Sequence, residues 1–293
     1  MHCGGAESSN SPGTSPSRPA VDRRDLERFL AEDVGPGDLT AALVPETARA
    51  VAEVVTREDM VLCGQDWFEG IFLLLDPEIR VEWFYQDAST VPSGERICRI
   101  RGMARALLTG ERTALNLLQT LSGTATLARR YAEAVAGTGV RVLDTRKTLP
   151  GLRQAQKYAV CCGGCHNHRM GLYDAILIKE NHILAAGSIA QAVQAARQRA
   201  AGVSIEVEVE NLGELEQALA AGVDRVLLDN FSLAMLREAV ARVTGRIEVE
   251  ASGNIDLDNI RAVAETGVDF ISVGSLTKHV RAVDLSLRIA FAD

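Results

Sequence analysis

Between Arg141 and His182 the chain reads RVLDTRKTLPGLRQAQKYAVCCGGCHNHRMGLYDAILIKENH, and Thr145-Arg146-Lys147-Thr148 sets a guanidinium beside an ammonium just past a short apolar run. Arginine grips a carboxylate or phosphate through two parallel hydrogen bonds, whereas lysine acts as a point charge. His168 and Arg169 follow a glycine-bearing loop, and Lys179 closes the apolar run AILIK. Arg141, Arg146, Lys147, Arg153, Lys157, Arg169 and Lys179 stand here against only Asp144, Asp174 and Glu180. That is a net +4 within a chain of net −8, which leaves −12 for the remainder. A cationic patch in an acidic protein points to a pocket for a small polyanion, because a nucleic-acid surface would make the whole domain basic.

Carboxylates gather further along. In Ile205–Glu210 (IEVEVE) strand alternation puts Glu206, Glu208 and Glu210 on one face and Ile205, Val207 and Val209 on the other. In a barrel the apolar face packs the outer helices, so the glutamates would point inward and require cations, metal or ligand groups. Glu248 and Glu250 repeat the pattern, and a solvated edge strand is the alternative. Ser252-Gly253-Asn254 and Gly274-Ser275 close two later strands, where small residues let backbone N–H groups approach a phosphate. Other chemistries fit parts of the set. Cys162, Cys165, His166 and His168 suggest zinc, although four ligands packed around Gly163-Gly164 would strain a tetrahedron. Lys179 could form a Schiff base if burial lowered its pKa, or stay a permanent cation; the surrounding charges leave both open.

Periodicity sets out the scaffold for these groups. Residues 1–20, rich in Ser, Pro and Gly, read as a disordered tail rather than a signal peptide, which implies a cytoplasmic protein with six reduced cysteines. No apolar run approaches the ~20 residues needed to span a bilayer. From Asp22 a helix is expected, ended by GPGDLT with Asp38 or Thr40 as a cap. Strands over Ala50–Thr56, Ile79–Tyr85 and Glu95–Gly102, with a buried helix over Trp67–Leu75, make a small α+β layer. A long helical region from Glu111 to about Ala136, interrupted at Ser122-Gly123, makes a natural domain connector.

After Val140 short strands (Arg141–Thr145, Ala175–Lys179, Ile205–Glu210, Arg225–Asp229, Ile247–Ala251, Phe270–Gly274) alternate with helices (Ile189–Ala201, Leu212–Ala220, Leu233–Val243, Leu257–Glu265). This rhythm means a parallel sheet. Polar residues fall at the carboxyl ends of the strands, and no GxGxxG or GxxxxGK[ST] is present, which favours a barrel over a doubly wound sheet.

The motifs ERTALNLLQTLSGTAT, DTRKTLPGLR, GGCHNHRMGL, LIKENHI, EVEVEN, LLDNF, EASGNI and DFISVGSLTKHVRAVDLSLRI, with the earlier LAEDVGPGDLT, resemble the quinolinate phosphoribosyltransferase family, the decarboxylating nicotinate-nucleotide pyrophosphorylases. The likeness runs in order from about residue 25 to the end. It implies an α/β fold with an N-terminal α/β sandwich (21–121, joined by the tail 277–293) and an incomplete parallel α/β barrel (122–276). It further implies phosphoribosyl transfer from phosphoribosyl pyrophosphate (PRPP) to quinolinate with loss of CO2, magnesium (Mg2+) bound with PRPP, no organic cofactor, and no nucleic-acid or membrane partner. A homodimer lending Arg112 to the neighbouring site is implied as well.

Carried over by motif, Thr145, Arg146, Lys147, His168, Arg169 and Lys179 with Arg112 would hold the quinolinate carboxylates and the diphosphate. Lys147, Lys179, Glu208 and Asp229 would be the catalytic groups. Glu208 and Asp229 would take the ribose hydroxyls, directly or through magnesium, and Ser252, Gly253, Asn254, Gly274, Ser275 and Leu276 the 5-phosphate. Many members carry a third glycine where this chain has Cys165.

Overall fold

The computed structural model describes residues 16–291, which form two compact units. The first runs to Arg129 and takes in Leu149–Gly164 and the segment from His279 onward; the second holds Arg130–Thr148 and Cys165–Lys278. Of the stretch read as a tail, residues 1–15 lie outside the described residues. Arg18, inside that stretch, donates to Asp66 Oδ1 at 2.9 Å and Gln65 Oε1 at 2.6 Å, so this part of the expected tail is held by the first unit.

In the first unit α1 (Arg23–Val34) starts at an Asp22 cap, and Asp38 Oδ1 accepts from the N–H groups of Thr40 and Ala41 to start the short turn Ala41–Leu43. The main sheet is antiparallel: β1 (Arg49–Thr56) lies between the C-terminal strand Leu285–Phe291 and β5 (Arg96–Met103), with β3 (Arg80–Trp83) outside β5. The short strands β2 (Met60–Val61) and β4 (Thr90–Val91) pair with each other. Ala50, Ala52, Val54 and Thr56 alternate inward along β1, and α2 (Gln65–Leu75) contributes Phe68, Ile71 and Phe72 to the same core.

The connector α3 (Ala104–Ala134) starts seven residues earlier than expected and does not break at Ser122-Gly123. Those two residues serve packing instead. Ser122 Oγ accepts from Cys63 N at 3.0 Å, and a β-carbon at Gly123 would lie 2.1 Å from the carbonyl oxygen of Arg281. A fourth helix, α4 (Arg153–Cys162), occupies a stretch with no sequence expectation, its apolar face broken by Lys157 and Gln156, both fully buried.

The second unit is a six-stranded parallel sheet: β6 (Arg141–Leu143), β7 (Ile176–Ile178), β8 (Ile205–Val209), β9 (Arg225–Asp229), β10 (Glu248–Ser252) and β11 (Phe270–Ser272), in the spatial order β6-β11-β10-β9-β8-β7. The first strand pairs with the last, Arg141 opposite Phe270. That is the closing step of a barrel, and only the β6–β7 seam stays open, so the fold is an incomplete α/β barrel. Along the edge of β6 a single bridge, Leu143 to His166, takes the place of a neighbouring strand.

Helices α5 (Glu180–Ala186), α6 (Ile189–Arg199), α7 (Leu212–Ala221), α8 (Leu233–Val243), α9 (Ile260–Ala264) and α10 (Ser275–Lys278) come after their strands. Ser188, Asn211 and Ser232 each accept an N–H from the first turn of α6, α7 and α8, which fixes where each loop ends. Among the described residues no helix is long and apolar enough to cross a membrane.

Candidate active site

The candidate groups of the second unit stand at or beside the carboxyl ends of its parallel strands. Asp144, fully buried just past β6, is the anchor of the cationic side. Its N–H donates to His166 O at 3.0 Å, and its carboxylate accepts from His168 N at 2.9 Å and Asn167 Nδ2 at 2.7 Å. The loop carrying His168 and Arg169 is therefore clamped to the strand that precedes Arg146 and Lys147. His168 Nδ1 accepts the Arg169 N–H at 2.7 Å, and Arg169 Nη1 donates to Ala175 O at 3.1 Å. Burial, and then the neighbouring Arg146 guanidinium, pull the Arg169 pKa below its ordinary value. A guanidinium near enough to Arg169 to disfavour its charge fits a site that takes anions. Lys147 is held by its backbone, with N donating to Thr145 Oγ1 at 3.1 Å and O accepting from Thr277 Oγ1 at 2.9 Å. Its side chain crosses Gly274, where a β-carbon would lie 3.1 Å from Lys147 Cδ.

The acidic side has two layers. Nearer the strand ends, Lys179 Nζ donates to Glu208 Oε2, and Asp229 Oδ2 accepts from Asn230 Nδ2 at 2.7 Å. Burial and the Glu208 charge raise the Asp229 pKa, opposed by Lys179 and Lys147, so these four groups share one field. Deeper in, His168 Nε2 lies 3.1 Å from Glu206 Oε2 and 3.6 Å from Glu250 Oε1. Glu206 Oε1 and Glu250 Oε1 are buried without a hydrogen-bond partner. Burial and the Glu206 charge push Glu250 up to about 7. One ligand atom from each of these three side chains falls within 4.8 Å of the others, close enough to hold a cation. Arg225 already supplies positive charge there, its Nη1 3.4 Å from Glu250 Oε2. Arg225 and Arg141 stack on Phe270 at 4.0 and 4.2 Å and both pair with Glu248, at the opposite end of the strands.

Beyond β10, Asn254 Nδ2 donates to Asn230 Oδ1 at 3.0 Å, and Gly253 has φ +93°, a left-handed conformation that favours glycine. Beyond β11, Ser275 Oγ lies 3.1 Å from the Tyr131 hydroxyl, and the Leu276 side chain is fully buried, so Leu276 can offer a ligand only its backbone.

Arg146, Lys147, His168, Arg169, Lys179, Glu208, Asp229 and the two small-residue loops thus lie at one end of the sheet. Three expectations are corrected. Glu210 lies past the end of β8, exposed, with its N–H bonded to Glu214, so it does not face inward. Glu248 opens its strand and pairs with Arg225 instead of lining the site. The cationic stretch is not one patch, since Arg141 joins Glu248 at the other end of the strands; Arg153 and Lys157 ride on α4, which belongs to the first unit. Arg112 lies exposed on α3, in the first unit. Among the described residues no metal-ligand cluster includes a cysteine, so the zinc alternative finds no support. Cys165 is buried and has no positive φ, so its backbone does not require glycine. Asp144, Asn167 and Asn230 are the residues that sequence reasoning did not single out. Each adjoins a candidate group, and that adjacency was the available signal.

An unclosed parallel barrel that sets paired guanidiniums across from carboxylates, with small-residue loops beside them, defines a class of enzymes that handle phosphorylated polyanions. The chain belongs to the quinolinate phosphoribosyltransferase family: residues 38–122 match the family's N-terminal domain and residues 124–288 its C-terminal domain. It is 41% identical over 269 residues to the probable nicotinate-nucleotide pyrophosphorylase (carboxylating) of Bacillus subtilis (strain 168), covering 92% of this chain and 93% of that protein. A protein of the same designation from Synechocystis sp. is 42% identical over 268 residues, covering 90% and 91%. The solved nicotinate-nucleotide pyrophosphorylase of Francisella tularensis superposes with a TM-score of 0.89 at 49% identity, covering 92% of this chain and 98% of that one.

Proposed function

We propose that this chain transfers the phosphoribosyl group of PRPP to quinolinate, with loss of the carboxylate next to the ring nitrogen, giving nicotinate mononucleotide, pyrophosphate and CO2 for NAD biosynthesis. Membership of the family carries the reaction, and the observation that best supports the site is the clamp of the His168-Arg169 loop onto Asp144, which precedes Arg146 and Lys147 at the same end of the sheet. In this reading Thr145, Arg146, Lys147, His168, Arg169 and Lys179, with Arg112 of the partner subunit in a homodimer, hold the dicarboxylate and the diphosphate. Glu208 and Asp229 hold the ribose hydroxyls, and backbone groups at Ser252–Asn254 and Gly274–Leu276 take the 5-phosphate.

The charges suit the chemistry. Departure of pyrophosphate leaves an oxocarbenium-like C1, which the Glu208 and Asp229 carboxylates stabilise electrostatically while the pyridine nitrogen attacks. The alkylated, positive ring then accommodates the carbanion left by departing CO2, which takes a proton from solvent to give nicotinate mononucleotide. Lys179 acts as a cation, a role its pairing with Glu208 supports over Schiff-base formation. The same two carboxylates fit a hard divalent cation, being oxygen donors with the Asp229 pKa raised by burial and then by the charge of Glu208. Magnesium bound there with PRPP would neutralise diphosphate charge. A cytoplasmic setting agrees with Cys63, Cys98 and Cys162 being buried free thiols.

Pyrophosphate release assayed with quinolinate and with nicotinate tests the reading. Turnover with quinolinate alone is expected, and turnover with nicotinate alone would overturn it.

A further inference from the structure

Strand β10 pairs with β9 in register, Ser252 opposite Asp229, and one more hydrogen bond continues that ladder past the strand ends: Asn230 N donates to Ser252 O at 2.9 Å. Asn230 reaches this position with φ +56°, and Asn254 across from it has φ +51°. Left-handed backbone at two non-glycine residues, side by side at one end of a sheet, is strain of the kind concentrated at functional sites. The Asn230 side chain uses both ends of its amide. Its Nδ2 donates to Asp229 Oδ2 at 2.7 Å, and its Oδ1 accepts from Asn254 Nδ2 at 3.0 Å. Asn254 is held from its other side too, its carbonyl accepting from Asn259 Nδ2 at 2.9 Å. Gly253 closes over this bridge, and a β-carbon there would lie 2.3 Å from Asn230 Oδ1 and 2.8 Å from Asn230 N.

We propose that Asn230 is a positioning residue that ties Asp229 to the Gly253-Asn254 loop and so fixes the spacing by which the site selects a ribose that carries a 5-phosphate. The inference rests on the reading of Asp229 as the ribose side and of Gly253-Asn254 as the phosphate side. A ribose 5-phosphate group is a rigid ring with hydroxyls at one edge and an anion at the other. A site that recognises both ends gains only if its two halves keep a fixed separation. Asparagine suits the task because it tolerates left-handed backbone and offers a donor to the carboxylate and an acceptor to the loop. Aspartate would remove the donor and set a second negative charge against Asp229. Glycine would keep the backbone and delete the bridge.

That last property supplies the test. The full chain and its Asn230→Gly variant are titrated with ribose 5-phosphate by calorimetry, and KM is measured for PRPP and for quinolinate. At least tenfold weaker ribose 5-phosphate binding and a similar rise in the KM for PRPP are expected, with the KM for quinolinate changed less than threefold. Binding within threefold of the unaltered protein, or an equal rise in both KM values, overturns the proposal. Should Asn230→Gly fail to fold, Asn254→Gly cuts the same bridge from the loop side, and a threefold or greater loss confined to the phosphoribosyl ligands is expected. An unaltered protein that binds neither ribose 5-phosphate nor PRPP overturns the site reading itself, and the inference with it.

Discussion

Arg146 is a sharp point of contact between charge and function. If Arg146 holds a quinolinate carboxylate as proposed, truncating it would leave that carboxylate without its partner, a loss of about 3–5 kcal/mol. Arg146→Ala is therefore expected to abolish quinolinate binding measurable by calorimetry, while unchanged affinity would remove Arg146 from the site. The buried acids make a second prediction. Glu250 rises from an ordinary value of 4.5 to about 7 through burial and the Glu206 charge. Between those values the folded protein holds a proton that the unfolded chain has released. The contribution is thus fully present below about pH 4.5 and is lost as pH climbs through about 7, a change on the order of 3 kcal/mol. Urea titrations from pH 5 to 8 are expected to show this decline, and Glu250→Gln is expected to flatten it. An equally steep decline in the variant would assign the effect to another group.

At the scale of elements, the connector α3 shows how a local signal misleads. Ser122-Gly123 looks like a helix break because both residues favour turns, yet Gly123 is there to admit the Arg281 carbonyl. Gly123→Ala is expected to destabilise the fold by about 1–3 kcal/mol through overpacking, read as a lower urea midpoint with an unchanged slope. A midpoint equal to that of the unaltered protein would contradict the packing account. The strands of the parallel sheet were legible because short apolar runs, each followed at once by a charged or small residue, alternate with amphipathic helical stretches. Helix α4 was not, because Lys157 and Gln156 sit fully buried on it and disguise its amphipathic period. Alternation found the inward face of β8 but could not separate Glu206, Glu208 and Glu210. Their fates depend on where the strand stops and on what neighbouring strands bring: His168 and Glu250 to the first, Lys179 to the second, solvent to the third. The bridging role of Asn230 depends on left-handed backbone at two loops, which no spacing in the sequence records.

At the scale of the whole molecule, the proposed dimer gives a test that needs no structure. Arg112→Ala and Arg146→Ala each inactivate every site when present alone. In a mixed dimer one site receives both intact arginines and the other neither, so random reassociation of equal amounts is expected to restore about a quarter of the normal activity. No recovery after verified subunit exchange would contradict the sharing of Arg112. The family match, the unclosed barrel and the facing cationic and acidic groups converge on one claim, that ring alkylation and loss of CO2 belong to a single turnover at this site. The direct measurement uses quinolinate labelled in the carboxylate beside the ring nitrogen and tracks labelled CO2, pyrophosphate and nicotinate mononucleotide together. Equimolar release of all three, strictly dependent on PRPP, is predicted; pyrophosphate released without labelled CO2, or CO2 released without PRPP, would contradict the account.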